Sequence, residues 1–236
     1  MEPSRPDDIE ERARLVSTIA HELRGPIATI KGIAATTRTH FAQLPVEDTL
    51  EFLELIEQES ARMMEIVDEA SLAMKLSADL LTLQRAPADL AAIIREGVGA
   101  AALDDDRVVD LDLDDLTVEA DRSRLVEVIR QVMQNADDFS PRDEPIAVRS
   151  RREADHAVVE VIDRGPGIPE HYRERVFTTF PNWRPAGYEE VQGTGLGLFI
   201  SRALVGEHHG QISIDDVPDG GTMLRILLPL EGTERG

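Results

Sequence analysis

Apolar or small side chains recur alternately four and three residues apart through Val16, Ala20, Leu23, Ile27, Ile30, Ala34, Thr37, Phe41 and Leu44. A period of about 3.5 residues is a heptad seam, which only a helix packed lengthwise against other helices satisfies. A second stripe runs through Phe52 or Leu53, Ile56, Met63, Ile66 or Val67, Ala70, Ala73 or Met74, and Leu80 or Leu81, with Pro45 marking the turn between them. Two helices of roughly 30 to 35 residues would each be about 50 Å long at ~1.5 Å per residue. A lone hairpin cannot cover apolar faces that broad, so the expected solution is a homodimer whose two hairpins close a four-helix bundle.

Charge and composition narrow the partners. The 236 residues carry 25 basic and 46 acidic side chains, a net charge of −21, which repels nucleic-acid phosphates and disfavours anionic lipid. The absence of cysteine excludes disulfides, thiolate metal sites and a cysteine nucleophile. No apolar run reaches the ~18 residues of a membrane span, and Met1 to Asp8 lacks a signal-peptide pattern. The expectation is a soluble, cytoplasmic chain without membrane insertion, or the soluble part of something longer.

Near Leu80 the period changes. Residues 1–80 are therefore assigned to the helical hairpin and 81–236 to a second, mixed α+β domain. Its expected order is a short strand (Leu81–Gln84), a helix capped by Asp89 and running to Ala102, strands at Val108–Leu113 and Leu116–Glu119, and a helix over Arg122–Asp138. Strands at Ile146–Arg151 and Ala157–Ile162, a long irregular stretch, a helix over Gly195–Glu207, and strands at Gln211–Ile214 and Met223–Leu228 complete it. The acid-rich runs Asp104–Asp106 and Asp110–Asp115 read as solvated edges.

Three segments of this domain carry chemistry. The loop Asp163-Arg164-Gly165-Pro166-Gly167 follows an apolar strand, and Gly193-Thr194-Gly195-Leu196-Gly197-Leu198 opens a helix. Glycines let backbone approach a ligand, and a helix amino terminus offers unpaired N–H groups to phosphates. The spacing is neither a Walker loop nor a dinucleotide fingerprint. Before both loops, the helix Leu125–Ala136 presents Gln131 and Asn135 four residues apart on one surface.

Together with the box Ile19-Ala20-His21-Glu22-Leu23-Arg24-Gly25-Pro26 on the heptad helix, this order resembles the sensor histidine kinases of two-component systems. The resemblance implies a dimerisation and histidine phosphotransfer hairpin followed by an α/β sandwich that binds ATP. Residue by residue, it makes Asn135 the amide ligand of Mg²⁺, with Gln131 a second polar contact. Asp163 becomes the acceptor for the adenine amino group, with Gly165 and Gly167 beside it. Phe177 and Phe180 become the aromatic pair flanking a lid between Pro181 and Gln192, which holds Trp183. Gly193, Gly195, Gly197 and Leu198 fall on the phosphate side, and Gly221 and Thr222 form the third glycine segment near adenine. His21, just outside the seam, becomes the phosphoacceptor, for which a partly neutral imidazole is a suitable nucleophile, and Glu22 orients it and takes its proton. The product phosphoramidate would pass to an aspartate on the receiver domain of a response regulator. Pro26 is expected to bend the helix. His40, His156, His171, His208 and His209 receive no role.

The chain departs from the family in three places. Where the kinases usually carry asparagine, and hydrolytic relatives a glutamate that activates water, this chain has Gln131, and an amide cannot act as a base, which favours transfer to His21. Asp138 stands where the kinases place a base against the phosphates, a repulsive arrangement unless Mg²⁺ intervenes or Arg142 or Arg184 supplies the charge. Gly25 lacks the side chain that holds water for dephosphorylating a regulator, so phosphatase activity is expected to be weak or absent and a hinge is expected beside Pro26. The alternative reading is a degenerate kinase acting as a dimeric scaffold, and in either case a separate sensor protein or a longer receptor supplies the signal.

Overall fold

The computed structural model describes residues 6–230 apart from 104–105, 180, 182, 189–190, 192 and 219, with side chains from residue 15 onward. It divides into two compact units, Met1–Lys75 and Leu76–Gly236.

The first unit holds two helices, α1 (Pro6–His40) and α2 (Val46–Ser77). Pro45 precedes α2, and its carbonyl accepts from both the Thr49 amide and hydroxyl, which starts the helix. Pro26, where a local bend is expected, lies inside α1, which is helical without a break from Pro6 to His40. A proline removes one hydrogen bond and crowds one turn, which a 35-residue helix absorbs when its flanks hold. The Thr29 hydroxyl bonds back to the Gly25 carbonyl at 3.3 Å, and the space around Gly25 is open. The seam divides by burial. Leu23, Ile30, Thr37, Phe52, Ile56 and Met63 are half-buried and Ile66, Ala70 and Ala73 buried, while Val16, Ile27, Phe41, Leu53, Val67 and Met74 are exposed.

The second unit begins with β1 (Ala86–Asp89), α3 (Leu90–Ala100), β2 (Val109–Leu113), β3 (Thr117–Ala120), α4 (Arg122–Phe139), β4 (Ile146–Glu153) and β5 (His156–Ile162). There follow α5 (Glu170–Arg173), a 3₁₀ turn (Arg175–Phe177), α6 (Gly197–Glu207), β6 (Gln211–Asp216) and β7 (Thr222–Pro229). Strands β1 and β3 pair antiparallel. The main sheet has the order β2-β4-β5-β7-β6, with β2 parallel to β4 and the other pairs antiparallel.

Strand alternation sets the layers. Ile146 and Val148 of β4, Val159 and Val161 of β5, and Leu224, Ile226 and Leu228 of β7 are buried. So are Ile93 and Ile94 of α3, Val128, Val132 and Met133 of α4, and Ile200, Leu204 and Val205 of α6. On the alternate positions Arg149, Glu160 and Arg225 stand in one cross-strand row. The result is a two-layer α/β sandwich joined to a helical pair, as expected. Helices α3 and α4 approach closely because Gly97 leaves room: a Cβ there would lie 2.5 Å from Ile129 Cβ.

Three local expectations need correction. The strand placed at Leu81–Gln84 lies at Ala86–Asp89, because an edge strand tolerates Pro87 and the Gln84 amide is instead used by Asp121, at 3.0 Å. Helix α6 starts at Gly197 rather than Gly195, whose φ of +66° is left-handed. The stretch read as irregular contains α5 and the 3₁₀ turn.

Candidate functional site

Helix α4 is held at both ends. At its start Asp121 accepts from the Arg124 amide and the Ser123 hydroxyl through Oδ1 and from the Gln84 amide through Oδ2. Burial acts to raise the Asp121 carboxyl, but these bonds and the Arg124 charge outweigh it and hold it below the ordinary value. At its end the buried Arg107 guanidinium bonds the Asp137 carboxylate and donates to the carbonyls of Asp137, Ser140, Pro141 and Glu144. One planar fork thus ties the last turn of α4 to the loop that follows it.

Both glycine loops rest on this helix. A Cβ at Gly197 would collide with the Gln131 Oε1, and a Cβ at Gly165 would lie 2.5 Å from the Phe139 carbonyl oxygen. Gln131 and Phe139 are eight residues apart, about 12 Å along the axis at ~1.5 Å per residue. Midway between them stands Asn135, half-buried and one turn from each loop. Gln131 is buried, with its Nε2 donating to Glu127 Oε1 at 2.9 Å, so its amide is tied in part to its own helix while its Oε1 lies against Gly197 at the start of α6.

Asp163 directly follows β5 and closes a second cluster. Its Oδ1 accepts from the Gly165 amide at 2.7 Å and the Thr222 amide at 3.2 Å, and its own amide donates to the Thr222 carbonyl at 3.0 Å. A Cβ at Gly221, which has a φ of +109°, would collide with the Asp163 carbonyl; one at Gly167, with φ +72°, would lie 3.1 Å from the Gly221 carbonyl. The Asp163–Gly167 loop and the Gly221 segment therefore interlock, with no room for a Cβ at Gly165 or Gly221. Burial pushes the Asp163 carboxyl above the ordinary aspartate value, against the hydrogen bonds from Gly165 and Thr222.

At the start of α6 the Thr194 hydroxyl accepts from the Leu196 amide at 3.1 Å and Leu196 is fully buried, whereas Gly193 has open space around it. Leu198 packs with Ile168, Trp183 and Ile212 on the cluster of Val176, Phe177 and Ile214. Phe180 lies outside the described residues. Trp183 stacks on Tyr172, ring centres 5.1 Å apart, and Tyr188 rests 5.7 Å from Phe139. Arg184 donates to the carbonyls of Val191 and Gly193. Asp138, the unexpected carboxylate, accepts from Gln134 Nε2 at 3.1 Å.

His21 is exposed on α1, with Glu22 half-buried beside it. Sequence reasoning missed Arg107 and His208. An arginine in a loop carries no local sign that it caps a helix thirty residues on. The adjacent histidines at the end of α6 were visible, yet the burial of His208 was not.

Comparison with known proteins bears on the family and the fold. Residues 11–78 match the model of the His Kinase A (phospho-acceptor) domain, and residues 120–232 that of the histidine kinase-, DNA gyrase B- and HSP90-like ATPases. The sensor protein KdpD of Mycobacterium tuberculosis is 31% identical over 232 residues, covering 95% of this chain and 26% of KdpD. The adaptive-response sensory kinase SasA of Thermosynechococcus vestitus is 28% identical over 236 residues, 95% of this chain and 61% of SasA. The chain thus spans about a quarter of the length of KdpD. Among solved structures, the mycobacterial sensor histidine kinase MprB superposes with a TM-score of 0.54 at 28% identity, covering 62% of this chain and 97% of that one. The histidine kinase ThkA, solved in complex with the response regulator protein TrrA, shares the fold across 97% of this chain and 65% of its own, with a TM-score of 0.70 at 24% identity. Two family models in tandem, in the order the motifs require and over most of the length, make the chain a member of the sensor histidine kinases of two-component signal transduction.

Proposed function

We propose that this chain binds ATP in its second unit, transfers the γ-phosphoryl group to His21, and passes it to an aspartate on the receiver domain of a response regulator in the cytoplasm. The observation that carries the nucleotide site is the bracketing of α4, with one glycine loop on Gln131, another on Phe139, and Asn135 between them. On this reading Asp163 receives the adenine amino group, with Gly165, Gly167 and Thr222 fixing its carboxylate. Gly193, Gly195, Gly197 and Leu198 shape the first turn of α6 for the phosphates, and Phe177 and Phe180 flank the lid. Among the described residues no cluster of three or more His, Cys, Asp or Glu could hold a metal, which suits an ion bound mainly through nucleotide and water. Mg²⁺ would be held on the protein side by the Asn135 amide oxygen, where it neutralises phosphate charge.

The exposure of His21 lets a second domain reach it. One ring nitrogen displaces ADP at the γ-phosphorus, and the proton on the other nitrogen passes to Glu22. Positioning and charge neutralisation do most of the catalytic work in such a transfer. The exposed half of the heptad seam supports a homodimer as the working form.

The test is incorporation of γ-labelled phosphate from Mg²⁺·ATP into the chain and into His21→Ala. Label that is acid-labile, alkali-stable and absent from the variant is the expected result. Binding of ATP without any label would favour the scaffold, for which Asp138 is the motivating residue, and Asp138→Lys would then be expected to restore transfer.

A further inference from the structure

Buried where α4 begins and α6 ends, His208 is 3% exposed and its two ring nitrogens have opposite partners. The Asp121 backbone N–H points at Nε2 at 3.0 Å, and the Leu204 carbonyl faces Nδ1 at 2.7 Å. A backbone amide can only donate and a carbonyl can only accept, so Nε2 must hold a lone pair and Nδ1 the proton. One neutral tautomer satisfies both contacts. An imidazolium would set N–H against N–H at a site closed to water.

The same node ties in the segment leading from α2. The Gln84 amide donates to Asp121 Oδ2, while Arg85 donates to the Glu207 carbonyl at the end of α6 and lies 3.0 Å from His209 Nε2. We propose that neutral His208 is a positioning residue that locks the start of α4 to the end of α6 and to the Gln84–Arg85 segment, holding in place the helix that bears Asn135. Its consequence for nucleotide binding rests on the function proposed above. Protonation would remove the Asp121 contact and loosen the first turn of α4.

The charged groups facing the ring are Arg85 from the entering segment, Asp121 from the start of α4 and Glu207 from α6 itself. Burial pushes His208 below its ordinary value of 6.5 and Arg85 adds to this, while the Leu204 hydrogen bond, Asp121 and Glu207 oppose it. A lowered native value means that the unfolded chain takes up the proton first. The contribution of His208 to stability is therefore complete above pH 6.5 and declines as pH falls towards the native value.

The test follows the imidazole nitrogens of the full chain by NMR between pH 5 and 8, with and without a non-hydrolysable ATP analogue. The expected result is an Nδ1-protonated ring that titrates below 6.5, with the Asp121 amide resonance moving at the same midpoint. An Nε2-protonated ring, or a midpoint at or above 6.5, would overturn the proposal. His208→Ala should weaken analogue binding at pH 7.5, and His208→Gln should rescue it, since the amide oxygen can accept from Asp121 and the NH₂ can donate to Leu204. Below the midpoint wild type should lose up to about tenfold in affinity per pH unit relative to His208→Gln. Equal acid loss in both proteins would also overturn it. If no analogue binds at any pH, the nucleotide reading fails, and the tautomer and Asp121 titration still decide the role of His208.

Discussion

At Asp163 the requirements of folding and of recognition pull apart. Both backbone amides that fix the side chain donate to one oxygen, Oδ1, so an asparagine keeping that oxygen in place would keep both bonds. The raised value of the carboxyl means that ionisation is harder in the folded chain than in the unfolded one. Stability from this group therefore falls as pH rises above 3.8 and remains lost once the native carboxyl has ionised. Asp163→Asn removes that cost and is expected to leave the melting temperature equal or higher. The same change places an NH₂ where an acceptor should meet the adenine amino group. Hydrogen bonds to charged groups are worth about 1.5–3 kcal/mol, so ATP affinity should fall about 10- to 150-fold, measurable by titration calorimetry. A parallel drop in melting temperature and affinity would make Asp163 structural only. The glycines divide in the same way. Gly165→Ala drives a Cβ onto the Phe139 carbonyl and should cost about 1–3 kcal/mol, whereas Gly193→Ala meets open space and should leave the thermal melt nearly unchanged. Gly193 was grouped with the other glycines by sequence position; the structure separates them because close approach is a three-dimensional fact.

Among the elements, α4 shows what a sequence discloses and what it hides. Asp89 was readable as a cap because the residue it serves lies three positions on, and it does accept from the Ala92 amide; Asp121 does the same for Arg124. Heptad and strand periods likewise located both long helices and the five strands of the main sheet, since alternation reports which face is buried. What failed were features decided at a distance. The first strand moved onto Pro87, which is tolerated because both strands of a two-stranded sheet are edges, and α5 was missed because four residues carry no period. The C-terminal caps are the clearest case. Arg107 closes α4 and Arg85 closes α6, each from a loop distant in sequence. The Arg107–Asp137 pair is buried on both sides, so Arg107→Ala leaves a carboxylate and several carbonyls without the guanidinium. The expected destabilisation is about 3–5 kcal/mol in denaturant melts. Lysine should not restore it, because an ammonium cannot span the carbonyls of Asp137, Ser140, Pro141 and Glu144 as a planar fork does. Asp137→Asn combined with Arg107→Ala should recover part of the loss, and full additivity of the two changes would show that the pair is not coupled.

For the whole molecule the decisive quantity is the apolar surface that one chain leaves in water. Val16, Ile27, Leu53, Val67 and Met74 lie on the seam stripes of α1 and α2, Phe41 follows directly on α1, and each is about half exposed or more. Scattered exposed aliphatics are ordinary on protein surfaces, but a row at helical spacing along two helices of 35 and 32 residues is a continuous face. Burying one such side chain is worth about 1.5–3 kcal/mol, so a second copy that covered the row would gain far more than ordering a few side chains costs. Leu53→Glu and Val67→Glu test this directly. Glutamate is a good helix former, so neither change should unwind α2, yet each would place a charge inside a dimer seam. The expected outcome is a dimer by light scattering for the wild-type chain and a monomer for the double variant. Wild-type melting should shift upward with protein concentration, and the variant's should not. A single mass for both proteins, with melts independent of concentration, would mean that the stripe is solvated in one chain. The heptad seam would then report only the packing of α1 against α2, and phosphoryl transfer to His21 would have to occur within a single polypeptide.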